Sequence, residues 1–417
     1  MNVAIIGGGA AGCFASIELK RLLPEARVTV YEKGRKLLAK VAVTGGGRCN
    51  LTNSFREVRS VESVYPRGAR LMKRLLREFG NEDVCRWFER EGVRLVTQDD
   101  QCVFPASQDA MEIVGTLTRL MRKEGVVVRT EHGVERIENN VMEIETPETN
   151  PRYSISFTDK NIKTVHADVV IVTTGGCNSG DGDGIFGSLG LEFIPPVASL
   201  FSLCLPDRAV KELMGTVVED VSVGLAGTKL RASGPLLITH WGMSGPAILR
   251  LSSYAARVLH DNGYKGRLSV NWFGDLNEGE VEERIMEIAV RNAQKQLSSA
   301  YPERLNSRLW THLLRRSSLR PDMRWSELGG KGRNRLIATL TSDTYDVDGK
   351  NRFKEEFVTC GGVSLTAVNM KTLECKAHPG LYFAGEVLDI DAVTGGFNLQ
   401  AAWTTGRTVA KSVASAN

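Results

Sequence analysis

No two of the eight cysteines in this 417-residue chain stand closer than fifteen positions apart, which excludes a CxxC metal knuckle and a redox-active CxxC or CxxxxC pair. Scattered cysteines behind a start without a basic n-region are expected of a soluble, cytoplasmic protein with reduced thiols. No stretch approaches the roughly 20 apolar residues that span a bilayer, so no membrane association is expected. Net charge is only +4, which confers no general affinity for nucleic acid. His132, His166, His260, His312 and His378 lack metal-ligand spacing, and no metal is expected. One local bias exists: residues 280–340 carry twelve Lys/Arg against seven Asp/Glu. Without interleaved aromatics to stack bases, this segment reads as a solvated face, and nucleic acid is disfavoured as a partner.

Against these absences stands an excess of glycine, 42 residues or about 10% of the chain where average usage is roughly 7%. Glycine outside low-complexity repeats points to tight turns and to backbone approaching a ligand closely. The length suggests two or three domains. Residues 2–6 form a short buried strand, a glycine run follows, and an amphipathic helix extends to about Leu23 before Pro24. Residues 28–32 form a second strand, giving the βαβ start of a parallel sheet. Helical periodicity covers 66–91 and 109–123, a strand follows at 126–128, and 133–166 has the alternation of an antiparallel meander that includes Met142-Glu143-Ile144. Residues 169–172 return as a buried strand, and Pro195-Pro196 marks a boundary. Beyond it, 197–272 resembles a small antiparallel barrel or sandwich, 278–340 is helical, 352–363 is extended, and 380–414 reads as strand, glycine turn and helix. The expected fold class is α/β. A discontinuous Rossmann-like domain (1–195 and 362–417) carries a β-rich barrel-like domain (196–275 and 341–361) and a helical domain (276–340).

The chemistry lies in the glycine turns. In Gly7-x-Gly9-x-x-Gly12, with Ala10 and Ala11 between, the first glycine turns the chain. The second admits a pyrophosphate to the backbone, and the third packs helix on strand. Phosphates then sit at the positive helix end. Glu32, twenty residues past Gly12 and followed by Lys33, is placed to accept from ribose hydroxyls, and an acid there disfavours a 2′-phosphate. Thr173-Thr174-Gly175-Gly176 forms the turn ending the third sheet strand near the adenosine side. The C-terminus separates FAD from NAD: Gly385-Glu386 ends a strand and brings an acid to a ribityl chain. Gly395-Gly396-Phe397-Asn398 then opens a helix whose N–H groups face a flavin N1–C2=O edge. Gly45-Gly46-Gly47-Arg48-Cys49-Asn50 forms a loop that wraps the cofactor, with Arg48 as charge partner and Cys49 as a small packed residue. A second match, Gly182-Asp183-Gly184-Ile185-Phe186-Gly187, is rejected because it does not directly follow its strand and Pro195-Pro196 interrupts the unit.

The runs Gly45-Gly46-Gly47-Arg48-Cys49-Asn50-Leu51-Thr52-Asn53, His240-Trp241-Gly242-Met243-Ser244-Gly245-Pro246, Ala384-Gly385-Glu386-Val387-Leu388-Asp389 and Thr394-Gly395-Gly396-Phe397-Asn398 resemble the aminoacetone-oxidase-like (YhiN/BaiN-type) flavoprotein family. The resemblance spans essentially the whole chain and implies noncovalent FAD and inserted β-rich and helical domains. The chain departs from the family pattern at Gln101-Cys102-Val103, at Phe397 where tyrosine is usual, and in a shortened loop after Gly176. His240, in a glycine-rich turn, is the candidate acid/base; a histidine bonded to backbone in a tight turn is the equally weighted structural alternative. The expected function is hydride transfer between flavin N5 and a small organic substrate, an amine or related metabolite, bound between the flavin face and the inserted domains. The alternatives are reduction of an activated double bond driven by free NAD(P)H as a transient donor, and RNA modification.

Overall fold

The computed structural model describes residues 1–140, 152–176, 185–351 and 358–416. The segment Met142-Glu143-Ile144 and Gly182, Asp183 and Gly184 of the rejected motif lie outside the described residues. The chain divides into two compact units, Met1–Val197 with Val358–Asn417, and Ala198–Phe357.

The first unit is built on a five-stranded parallel sheet. Its strands run in the order Leu381–Phe383, Val169–Val172, Asn2–Ile6, Arg27–Tyr31 and Val127–Arg129. Ile5 is paired with Ile171 on one side and Val30 on the other, and all three are fully buried. Continuous apolar runs such as Val3-Ala4-Ile5-Ile6 are what a strand covered on both faces requires. The central strand is flanked by strands reached in opposite directions along the sheet. Its C-terminal end therefore opens at a topological switch point, the usual ligand crevice of such sheets.

One face is covered by the first helix (Ala10–Leu22) and the C-terminal helix (Phe397–Ser415). They approach closely because Gly406 has no side chain: a Cβ there would stand 2.9 Å from the Ala11 carbonyl oxygen. Phe14 fixes the crossing between Trp87 and Trp403, with ring centroids 4.7 and 5.5 Å away. The buried Glu18 carboxylate is satisfied by the Trp87 indole at 2.8 Å and by Arg407. Two antiparallel sheets flank this core: Thr52–Asn53, Cys102–Pro105 and Leu95–Thr97, and the meander Val134–Asn139, Tyr153–Phe157 and Val165–Ala167.

The second unit holds a six-stranded antiparallel sheet in the order Leu203–Cys204, Gly242–Ser244, Arg231–Ile238, Val217–Leu225, Lys265–Asn271 and Asp343–Asp348. Its two edges meet, with a bridge between Leu203 and Lys350 and a bond from Cys204 N to Gly349 O at 2.9 Å, so the sheet is a nearly closed barrel. Helices Glu278–Arg291, Ser307–Arg316 and Gly330–Ser342 share its hydrophobic core, which includes Trp272, Trp310 and Trp325. Three helices stand where the sequence suggested only β segments, the single turn Arg208–Lys211 and the longer Pro246–Tyr254 and Ala256–Asp261. Pro246 supplies the preset φ of a first helical residue, a local signal that the glycine-rich setting masked. Buried Asp343 ties helix to barrel by accepting from Trp272 Nε1 at 3.1 Å, Tyr345 OH at 2.5 Å and Arg316 Nε at 2.7 Å.

Candidate functional site

The three motif glycines have different reasons to be glycine. Gly7 sits at φ +109°, and a Cβ there would be 2.4 Å from Thr173 O; a Cβ on Gly12 would be 2.1 Å from Gly7 O. Both are dictated by the protein's own packing. Gly9 has an ordinary φ of −83°, and a Cβ there would meet no atom of the described residues within 4 Å. Neither space nor backbone requires a bare residue at that point. The bareness exposes the first N–H groups of the helix, including those of Ala10 and Ala11, which have no intrahelical acceptor.

Glu32 ends the second strand, and its two carboxylate oxygens accept from Gly8 N at 2.8 Å and Gly34 N at 2.7 Å. The carboxylate thus holds the glycine turn in shape, and each oxygen keeps a further lone pair. Lys33 beside it is exposed. Thr173 Oγ1 donates into the Ile6 and Gly7 carbonyls, 3.0 and 2.8 Å away. Thr174 Oγ1, adjacent to Gly7, is buried and has no hydrogen-bond partner among the described residues.

From the C-terminus, Gly385 lies at φ +78°, donates its N–H to Thr405 Oγ1 at 2.9 Å, and comes so close to the first helix that a Cβ would be 3.0 Å from Ala11 Cβ. Glu386 follows. It accepts from Thr359 N at 2.7 Å and pairs with Lys40 at 3.3 Å. Gly175 and Gly176 lie against it, and a Cβ on Gly176 would be 2.7 Å from Glu386 Oε1. The fold therefore gathers 7–12, 174–176 and 385–386 at one end of the parallel sheet.

The two remaining motifs dock on one another. Gly45, Gly46 and Gly47 all have positive φ, at +58°, +68° and +83°. The Arg48 guanidinium is exposed, lies 4.4 Å over the Phe104 ring and donates back to Gly45 O at 3.1 Å. Cys49 is buried, and burial pushes its thiol up to about 12, so it is no nucleophile at neutral pH. The Asn50 amide, oriented by its hydrogen-bond network, donates to Thr52 O at 3.0 Å and accepts from Gly396 N at 3.2 Å. Asn53 Nδ2 donates to Gly395 O at 3.1 Å. Gly396 lies at φ +88°, and a Cβ there would be 2.4 Å from Thr52 O, so the protein itself demands this glycine and uses its N–H. Phe397 is buried edge-on to Phe55 at 5.1 Å, and its carbonyl accepts from Tyr65 OH at 2.8 Å. Asn398 brackets Ala392, accepting from its N and donating to its O at 2.9 Å each. The helix N–H groups left for a ligand are those after Gly396.

His240 belongs to the second unit, in the turn between Arg231–Ile238 and Gly242–Ser244. It is exposed, its ring stands edge-on to Trp241 at 4.4 Å, and among the described residues its ring makes no hydrogen bond. Lys40, Thr359 and Thr405 went unrecognised in the sequence: Lys40 reaches Glu386 from 346 positions away, and the two threonines belong to no motif. Among the described residues no group of three or more His, Cys, Asp or Glu is arranged for a metal ion, and no helix is long and apolar enough to cross a membrane.

Residues 1–412 match the HI0933-like protein Rossmann domain. This chain belongs to the HI0933-like family. Among proteins similar to it is the ribosomal RNA dihydrouridine synthase of Escherichia coli K12, 30% identical over 97% of this chain and 96% of that one. The 3-dehydro-bile acid delta(4,6)-reductase of Clostridium scindens is 27% identical over 97% of both chains. The 3-ketosteroid-delta4-(5alpha)-dehydrogenase structure from Rhodococcus jostii RHA1 shares the fold, with a TM-score of 0.51 at 15% identity over 99% of this chain and 96% of that one. By class this HI0933-like protein is an FAD-dependent oxidoreductase. Neither relative is by name an aminoacetone oxidase, so the resemblance holds at the level of the broader family.

The residues present suit FAD on three counts. Among the described residues nothing requires Gly9 to be bare and nothing partners the buried Thr174 Oγ1 hydroxyl, and Glu32 retains acceptor capacity on both oxygens.

Proposed function

We propose that this HI0933-like protein uses noncovalent FAD to reduce a carbon–carbon double bond conjugated to a carbonyl. The observation that carries the reading is a chemical agreement between two relatives that each span nearly the whole chain. The bile acid reductase's name describes double bonds conjugated to a C3 ketone. Dihydrouridine differs from uridine by saturation of a C5=C6 bond conjugated to the C4 carbonyl. Both conversions add a hydride to the electrophilic far carbon of a carbonyl-conjugated double bond and a proton to its nearer carbon.

When bound, FAD supplies hydride chemistry at N5. The chain's own part is binding and placement. Gly7, Gly9, Ala10, Ala11 and Gly12 would hold the pyrophosphate at the first helix start, Glu32 and Lys33 the ribose, and Thr174, Gly175 and Gly176 the adenosine side. Gly385 and Glu386 would take the ribityl chain. Gly45, Gly46, Gly47, Arg48, Cys49 and Asn50 would flank the ring system opposite Gly395, Gly396, Phe397 and Asn398. Burial raises the Cys13 and Cys49 thiols, leaving neither as a thiolate for a covalent link. With one glycine fingerprint serving FAD, free NAD(P)H is the transient electron donor.

An anaerobic stopped-flow experiment tests this reading. Reduced enzyme mixed with a 4,6-diene-3-ketosteroid or a uridine-containing RNA should reoxidise faster than in buffer, and oxidised enzyme should not bleach with aminoacetone. Bleaching by amines together with no reoxidation by either alkene would overturn the proposal in favour of an amine oxidase.

A further inference from the structure

We infer that the helical part of the second unit carries a docking surface for the phosphate backbone of RNA, centred on Arg315, Arg320, Lys331 and Arg335. Resting on the conjugated-bond reduction proposed above, this makes a uracil within RNA the substrate class.

The modest net charge of the chain conceals a strong local imbalance. Residues 315–335 contain seven Lys/Arg and two acids, Asp322 and Glu327. The fold brings these cations to one end of a helix pair, where Ser307–Arg316 finishes and Gly330–Ser342 begins. Arg335 Nε donates to Ser317 O at 3.1 Å, and a Cβ on Gly332 would be 3.2 Å from Leu319 Cδ2. Besides Arg335, which bonds the Ser317 carbonyl, three of the seven are engaged by other side chains. Arg316 pairs with Asp207 and Asp343, Arg333 pairs with Glu282, and Arg324 donates to Gln294. The other four are exposed and make no ion pair among the described residues.

Stability accounts for two of these four in part, Arg315 in the last turn of its helix and Arg335 through the Ser317 carbonyl, but not for the cluster. Lys331 and Arg335 sit in the first two turns of a helix with no acid in its first turn, where positive charge opposes the helix dipole. Mutual repulsion adds to that cost, so an external anion is what the cluster complements. Three of the four are arginine, whose planar fork matches phosphate oxygens in pairs. An acidic protein is the competing partner, but stable protein interfaces are anchored by buried aromatic or aliphatic residues. No large apolar side chain is exposed between 315 and 335. A backbone-tracking RNA surface needs none: the lack of aromatics, which argued against a base-stacking platform, leaves phosphate contact as the mode of binding. The relative acting by name on ribosomal RNA favours the same partner.

The test uses the FAD-loaded enzyme, a fluorescein-labelled RNA stem-loop with a uridine loop, and the triple variant Arg315→Ala/Arg320→Ala/Lys331→Ala. Anisotropy titrations across a salt series should show affinity at least about tenfold weaker in the variant, with a log–log salt slope shallower by about 2, at roughly 0.7 for each phosphate no longer neutralised. Melting temperature should not fall and flavin content should not change; if the triple variant fails to fold, Arg320→Glu in the exposed turn serves instead. Unchanged affinity and slope overturn the docking surface, as does a wild type that ignores RNA yet binds polyglutamate. Reoxidation of the reduced enzyme by a small conjugated ketone is measured in parallel. Its absence in a wild type whose RNA binding depends on the patch overturns the reduction while the surface stands. Its presence with patch-independent RNA binding overturns the surface alone.

Discussion

Replacing Glu32 by alanine removes two hydrogen bonds that the protein makes with itself and, on the reading above, those it makes with the FAD ribose. The two internal bonds, from Gly8 N and Gly34 N, are charge-assisted. Each is worth about 1.5–3 kcal/mol, so the glycine turn loosens in the apoprotein. The remaining lone pair on each oxygen is what a ribose diol would use. Removing a charged hydrogen bond of about 1.5–3 kcal/mol there raises the FAD Kd by roughly 10- to 150-fold. Two effects must be separated, and FMN separates them because it lacks the adenosine ribose. Apoprotein titrations of Glu32→Ala should show FAD weakened at least about tenfold and FMN nearly unaffected. Glu32→Gln keeps one oxygen but turns an amide NH₂ against the other backbone donor, so it should fall between wild type and alanine. An unchanged FAD Kd would refute the ribose role, and equal losses of FAD and FMN would reduce Glu32 to a brace for the turn.

Further outcomes follow from the geometry. Gly9→Ala should leave apoprotein stability within about 0.5 kcal/mol while weakening FAD, because only a ligand needs that space. Gly12→Ala should destabilise the apoprotein, since its Cβ would stand 2.1 Å from Gly7 O; thermal melts with and without FAD distinguish the two. Gly396→Val should likewise destabilise the apoprotein, by about 1–3 kcal/mol or more in the same melts, because Thr52 O is 2.4 Å from the new Cβ. His312 is held below its ordinary 6.5 by burial, then by Arg316 and Arg315, against the opposing pull of Asp343 and Asp207. As the pH falls below 6.5 the unfolded chain takes up this proton before the folded one does. The stabilisation is therefore complete above that pH and is lost as the pH drops toward the folded value. Denaturant melts of His312→Gln should be flatter than wild type between about pH 7 and 5, and equal slopes would contradict the assignment.

What the sequence determined by itself was whatever is encoded locally. The strand at 2–6, the turn of 7–12, the helix that follows and an acid at the end of the next strand form one short unit. Each residue type there has a reason within about thirty positions. The glycine turn before the C-terminal helix is legible for the same cause. Even the pair of helices after Gly245 had a local cue in Pro246, overlooked because glycine-rich turns surround it. The tertiary structure decided the rest, because it concerns partners that chain order does not bring together. Glu32 shapes the turn through Gly8 as well as standing ready for a ligand, and Glu386 is held by Thr359 and Lys40. Gly396 is glycine on account of Thr52, and the barrel closes through Leu203 and Lys350. The surplus of arginine was visible as composition. Which of those arginines are spent on Asp207, Asp343 and Glu282, and which face solvent unpaired, depends on how two helices meet, and no spacing rule contains that.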